Sequence, residues 1–198
     1  RRIAPLPVKP VNPVFIFWGR VHPQKGLDRA LRIFSAVHKS DYSARFVIIG
    51  PDGGDLSRIK ALVNTSGLAD SVHFVGGVDF HAISEQARSA SFYLQTSSLE
   101  GMAMSVVEAM QLGLVPVVTP VGEIGKYCQH NENALIVQTD DTIVDEILAV
   151  LHDDLRYQSV RRNTVATWAE KPLYAESVLT ACMDILLSNS DKSSAVNE

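Results

Sequence analysis

The stretch Val14-Phe15-Ile16-Phe17-Trp18-Gly19-Arg20-Val21-His22-Pro23-Gln24-Lys25-Gly26, followed by Leu27, Ala30, Leu31, Phe34 and Val37, changes periodicity midway. An unbroken apolar run suits a strand buried on both faces, and the later three-to-four spacing suits an amphipathic helix over 26–38. The loop between them carries two cations, Arg20 and Lys25. Strand, short loop and helix form the opening unit of a parallel sheet whose crossovers place helices on both faces.

The alternation continues. Candidate strands at 14–18, 45–49, 72–75, 92–94, 114–118 and 134–137 alternate with helical patterns at 26–38, 56–63, 82–90 and 103–112. This predicts an α/β, Rossmann-like doubly wound parallel sheet of about six strands flanked by helices. A helical extension of two or three helices over 140–187 follows, the last over 174–187. The proline-punctuated residues 1–13 read as a linker from a missing preceding domain, 14–187 as one domain, and the polar residues 188–198 as a disordered tail. In an open sheet of this kind ligands sit at the carboxyl ends of the strands.

The 198 residues, 46% hydrophobic and 20% charged, suffice for one sizeable core. A net charge of −4 gives no general attraction to nucleic acid. Cys128 and Cys182 have neither metal-ligand nor CxxC spacing and read as ordinary thiols in a reducing, cytoplasmic setting. No apolar run approaches the roughly 20 residues of a membrane-spanning helix, and the chain does not open on a signal-peptide pattern. His22, His38, His73, His81, His130 and His152 are scattered, and Asp140-Asp141 and Asp153-Asp154 fall in helical patterns, so no bound metal is expected. Neither a GxGxxG fingerprint nor a Walker loop occurs, which argues against a dinucleotide-dependent dehydrogenase and a P-loop ATPase.

After the first strand, Arg20, Lys25 and free backbone N–H groups suit a phosphate, although taken alone the two cations read more readily as solvated loop charges. The turn Gly50-Pro51-Asp52-Gly53-Gly54 allows close approach to a ligand or serves as a plain connection. The most specific stretch is 96–113. Glu100 falls in the loop after the fourth strand, and Glu108 falls among Val106, Val107, Ala109 and Met110, where a carboxylate needs a partner. On one continuous helix the two acids would lie within about 80° of one face and roughly 12 Å apart along the axis. That exceeds the roughly 5 to 9.5 Å of a hydrolytic carboxylate pair, so the acids are expected to grip two parts of one elongated ligand. The helix start near Gly101 and Met102 suits an anion between them, giving the order sugar, diphosphate, ribose. A structural salt bridge is the alternative for Glu108.

Over 14–187 the chain resembles the C-terminal, donor-binding domain of the family 4, or group 1, retaining glycosyltransferases, one half of a GT-B fold. The pieces that carry the resemblance are Gly19-Arg20 with Lys25-Gly26, Val72-His73-Phe74-Val75-Gly76, Glu100-Gly101 with Glu108-Ala109-Met110, Gly113 with Val115-Pro116-Val117-Val118, and Asn133-Ala134-Leu135-Ile136-Val137. The resemblance implies transfer of a hexosyl group, with retention and without metal or cofactor, from a UDP- or GDP-linked sugar to a saccharide or lipid-linked acceptor. It implies that Arg20 and Lys25, beside Gly19, bind the diphosphate, and that Glu100 contacts the donor sugar and Glu108 the ribose. Arg20, Lys25 and Glu100 are the residues it places at the reacting atoms. The backbone of Gly101, Met102 and Ala103 cradles phosphate and sugar, and Phe74, Val75, Gly76 and Gly77 edge the base pocket. Trp168 resembles a packing aromatic near the family's final helix. A separate N-terminal domain would hold the acceptor and leaves room for peripheral membrane association. This chain departs from the family pattern at Gly122-Glu123-Ile124-Gly125-Lys126, where a second glycine and a glutamate are changed, and at Gln95-Thr96-Ser97-Ser98 before the first acid. Rival readings are an epimerase or sugar phosphorylase on the same fold, and a non-catalytic module that binds a nucleotide or a protein.

Overall fold

The computed structural model describes residues 2–171, 178–180 and 182–183. The main body runs from Ile3 to Ala169, and the remaining described residues belong to a second unit. Of the expected last helix, residues 178–180 and 182–183 are helical; the rest of it, and the expected tail over 188–198, lie outside the described residues.

Six strands form one wholly parallel sheet: β1 (Val14–Trp18), β2 (Arg45–Ile49), β3 (Val72–Gly76), β4 (Phe92–Gln95), β5 (Val115–Val118) and β6 (Leu135–Ile136), in the order β3-β2-β1-β4-β5-β6. Their unbroken apolar runs follow from burial on both faces. Phe15, for example, stacks on Phe92 at 5.0 Å and meets the edge of Phe34 at 5.8 Å. The helices are α1 (Leu27–Ser40), α2 (Leu56–Thr65), α3 (Phe80–Ala87), α4 (Met104–Leu112), α5 (Ile124–Tyr127), α6 (Asp140–Leu151) and α7 (Asp154–Ala169). Helix α1 packs against α2 and α6, and α4 against α7. No helix among the described residues is long and apolar enough to cross a membrane.

Three sequence expectations shift. Helix α3 begins earlier than its periodicity suggests, because the Asp79 side chain accepts from Ala82 N at 2.9 Å and fixes the start. Helix α4 starts only at Met104, since Ala103 before it is left-handed at φ 51°, and Glu100 therefore lies off the helix. The expected 12 Å separation of the acids along one axis does not apply. Residues 3–13, read as a linker, have no regular structure but are tied to the body. Leu6 N donates to Leu112 O at 3.0 Å, the buried Arg161 guanidinium donates to the carbonyls of Leu6 and Pro7, and Lys9 Nζ donates to Arg88 O at 2.7 Å. Ile3, Leu6 and Val11 pack on the core.

Candidate functional site

After β1 the chain moves to β2 on one side, and it returns through β3 to place β4 on the other side. The loops leaving β1 and β4 therefore diverge and open a crevice at the carboxyl ends of these strands. Arg20 and Lys25 stand on the first loop; Glu100, Gly101, Met102 and Ala103 stand on the second, and Glu108 is on α4. The two loops are laced together. Ser98 N donates to Gln24 O at 2.9 Å, Gln24 Nε2 to Leu99 O at 2.8 Å, and Thr96 Oγ1 to Gly26 O at 2.6 Å. Gly26 has φ 66°, and a Cβ there would sit 2.0 Å from the Thr96 carbonyl oxygen. This close approach brings Lys25 within reach of Glu100.

Lys25 Nζ lies 2.6 Å from Glu100 Oε1, and the two side chains are 21% and 9% exposed. Gln95 Nε2 and Ser97 Oγ donate to the same oxygen at 2.9 and 2.7 Å. Oε1 thus takes three donors, while Oε2 has no partner among the described residues. The lysine expected at a phosphate and the glutamate expected at a sugar are paired with each other, so much of the lysine charge is already balanced. Arg20 differs: it is exposed and unpaired among the described residues.

Glu108 finds its partner in an aromatic side chain, with Trp18 Nε1 donating to Oε2 at 3.0 Å. The hydroxyl of Tyr93 lies 2.5 Å from Gln95 Oε1 and 3.2 Å from Trp18 O, and Ser105 Oγ donates to Gln95 Oε1 at 3.1 Å. Both acids are therefore anchored to one buried polar chain of Trp18, Tyr93 and Gln95. Burial, with smaller contributions from Glu100 and Glu108, pushes the Tyr93 hydroxyl well above the usual tyrosine range, so it remains a donor. Sequence reasoning placed Trp18 inside a core strand, gave Tyr93 no role and treated Gln95 as a loop variation. The available signal was that buried tyrosine and tryptophan need partners for their polar tips.

The loop after β5 supports the cradle from the other side. Glu123 N donates to Gly101 O at 3.1 Å, and Tyr127 Oη donates to Met102 O at 2.7 Å. A Cβ at Gly122, where φ is 58°, would lie 2.1 Å from Glu100 O. The departing turn thus keeps the glycine that the loop carrying Glu100 leans on, while Glu123 pairs with Lys126 at 2.8 Å on the surface. Ala103 offers no side-chain cap to α4, so the first N–H groups of that helix lack one. Val75, Gly76 and Gly77 are exposed at the end of β3, with Phe74 half-buried under Lys60, whose Nζ is 5.6 Å from the ring centroid. They share the carboxyl edge of the sheet with the crevice, but β2 stands between β3 and β1. Trp168 packs edge-on against Tyr127 at 5.3 Å. Among the described residues no three His, Cys, Asp or Glu side chains gather as a metal site would need.

The profile of the family described as "Glycosyl transferases group 1" matches residues 3–166. The GDP-mannose:cellobiosyl-diphosphopolyprenol alpha-mannosyltransferase of Xanthomonas oryzae is 26% identical over 156 residues, covering 76% of this chain and 41% of that protein. The chain spans less than half the length of the relatives it matches. Among solved structures, a point mutant of S. aureus TarM, crystallised in complex with Fondaparinux, alpha-GlcNAc-glycerol and UDP, superposes with a TM-score of 0.83 at 19% identity, over 93% of this chain and 37% of that one. The C-terminal domain of the group 1 glycosyl transferase LpcC from Francisella tularensis superposes with a TM-score of 0.72 at 22% identity, over 82% of this chain and 87% of that one.

Proposed function

Since this chain belongs to the group 1 glycosyl transferases, we propose that its crevice between β1 and β4 binds the nucleotide-diphosphate sugar of a retaining, metal-independent hexosyl transfer. The observation that carries this reading is the Lys25–Glu100 pair, which joins the β1 and β4 loops at the switch point of the sheet, with the exposed Arg20 on the first loop and the uncapped start of α4 following the second. Arg20, Lys25 and the α4 N–H groups take the diphosphate and stabilise the negative charge that develops as it leaves. Glu100 takes a sugar hydroxyl, Glu108 the ribose, and the 74–77 edge the base. A GDP-linked donor is consistent with the relative named for GDP-mannose; a UDP-linked donor is the alternative. The acceptor, saccharide or lipid-linked, is held by a domain outside these residues, which also provides any peripheral membrane attachment.

Calorimetry with nucleosides and nucleoside diphosphates tests the clamp. Arg20→Ala and Lys25→Ala should each weaken GDP or UDP by about 1.5 to 3 kcal/mol, the worth of a charge-assisted hydrogen bond, and leave the nucleoside unaffected. Equal losses for both ligands would remove these cations from the phosphate site.

The ion pair sets a second expectation. Glu100→Gln frees Lys25, so it should tighten the nucleoside diphosphate by about 1 kcal/mol, one close unit-charge interaction in water-like surroundings. It should also erase whatever extra affinity the sugar supplies. Unchanged binding of both ligands would sink the paired assignment.

A further inference from the structure

We propose that Gln95 is a positioning residue for donor-sugar recognition, its buried amide holding the Glu100 carboxylate in place from beneath; this rests on the donor-site reading above. Gln95 is fully buried. Its Oε1 accepts from Tyr93 and Ser105, which turns Nε2 toward Glu100 Oε1. The flipped amide would set its oxygen against a carboxylate oxygen, so only one orientation fits. Tyr93 is fixed in turn, meeting the edge of Trp18 at 4.6 Å, and Ser105 belongs to α4. The amide is thus locked between a central strand and a helix.

Glu100 has two other partners. Lys25 comes from the β1 loop and turns toward a diphosphate when one enters, so its hold on the carboxylate weakens at the moment the sugar arrives. Gln95 has no competing ligand, because it is buried beneath the crevice. Together with Ser97 it keeps Oε1 occupied and leaves Oε2 to a sugar hydroxyl.

The test is calorimetry on the full chain with GDP, GDP-mannose, UDP and UDP-glucose, read as the affinity ratio of each nucleotide sugar to its diphosphate. Gln95→Met should lower that ratio about ten- to a hundredfold, while diphosphate affinity stays within about threefold. Gln95→Glu adds a signature that a purely structural role would not give. The introduced carboxyl faces Glu100, with Lys25, Tyr93 and Glu108 as the other titratable groups around it, and two such carboxyls share one proton. At low pH the shared proton restores the hydrogen bond to Glu100. As pH rises the proton leaves, and the ratio, divided by that of the wild type at the same pH so that titration of the ligands' own phosphates cancels, should fall. Should the Gln95 variants not fold, the double variant Tyr93→Phe/Ser105→Ala frees the amide by deleting two hydroxyls and should lower the ratio likewise. A wild-type sugar preference that survives in every folded variant overturns the role of Gln95 alone. A wild type that binds diphosphate without preferring the sugar also overturns it. A wild type that binds no nucleotide at all overturns the donor-site reading, and this inference with it.

Discussion

Gly26→Ala should destabilise the chain by about 2 to 5 kcal/mol and abolish nucleoside diphosphate binding in whatever fraction folds. Two terms add. Holding an L-residue at φ 66° costs roughly 1 to 2 kcal/mol. The new Cβ also lands 2.0 Å from Thr96 O, a backbone atom that has no rotamer to escape through, and such overpacking costs a further 1 to 3 kcal/mol or so. The chain contains its own control. Gly67, in the turn after α2, has φ 67° with nothing within 4 Å of its would-be Cβ, so Gly67→Ala carries the backbone term alone. Urea unfolding should therefore separate the two variants by the clash, and only Gly26→Ala should lose GDP and UDP. The second effect follows because any relief of the clash pushes the β1 loop off the β4 loop, and the Lys25–Glu100 contact depends on that apposition. Equal stability and equal binding in the two variants would mean that the apposition does not build the site.

Much of the sheet was legible because each strand is an apolar run bounded by polar or glycine residues. Strands β1 and β2 fall where the pattern places them, residue for residue, and β3, β4, β5 and β6 differ only at their ends. Boundaries set by a single contact were not legible. Periodicity carries no sign of the Asp79 cap, the left-handed Ala103 or the short α5. Nor did composition reveal that residues 3–13 are strapped down, since the anchor is Arg161, a cation more than 150 positions away whose burial only the fold creates. The candidate site divides in the same way. Arg20, Lys25 and Glu100 were identifiable from their places after strands and Glu108 from its place among apolar helical residues, but the pairing of Lys25 with Glu100 requires β1 to lie beside β4, and strand order is invisible to periodicity. The Trp18-Tyr93-Gln95 chain is further removed still, because three residues in two strands look like core until the partners of their polar atoms are known.

The 198-residue chain taken by itself should bind a donor nucleotide and yet transfer hexose at a negligible rate. The first half of that expectation rests on the body over Ile3–Ala169, which has a continuous core and contains every residue assigned to the donor. The second half rests on what the crevice does not supply. Its two acids are committed to positions at one open edge of the sheet, Glu100 held by three donors and Glu108 by Trp18. Transfer also needs an acceptor hydroxyl in near-attack geometry and the exclusion of water, contributions that together reach roughly 7 to 11 kcal/mol. A loss of that size lowers the rate by about five to eight orders of magnitude. Calorimetry with GDP and UDP, run beside a radiolabel assay with GDP-mannose and UDP-glucose and with both saccharide and lipid-linked acceptors, reads the two halves separately. Binding without transfer is the expected result. Rapid transfer by the chain alone would place the acceptor on these residues and remove the need for a second domain, while a folded chain that binds neither nucleotide would remove the donor from the crevice between β1 and β4.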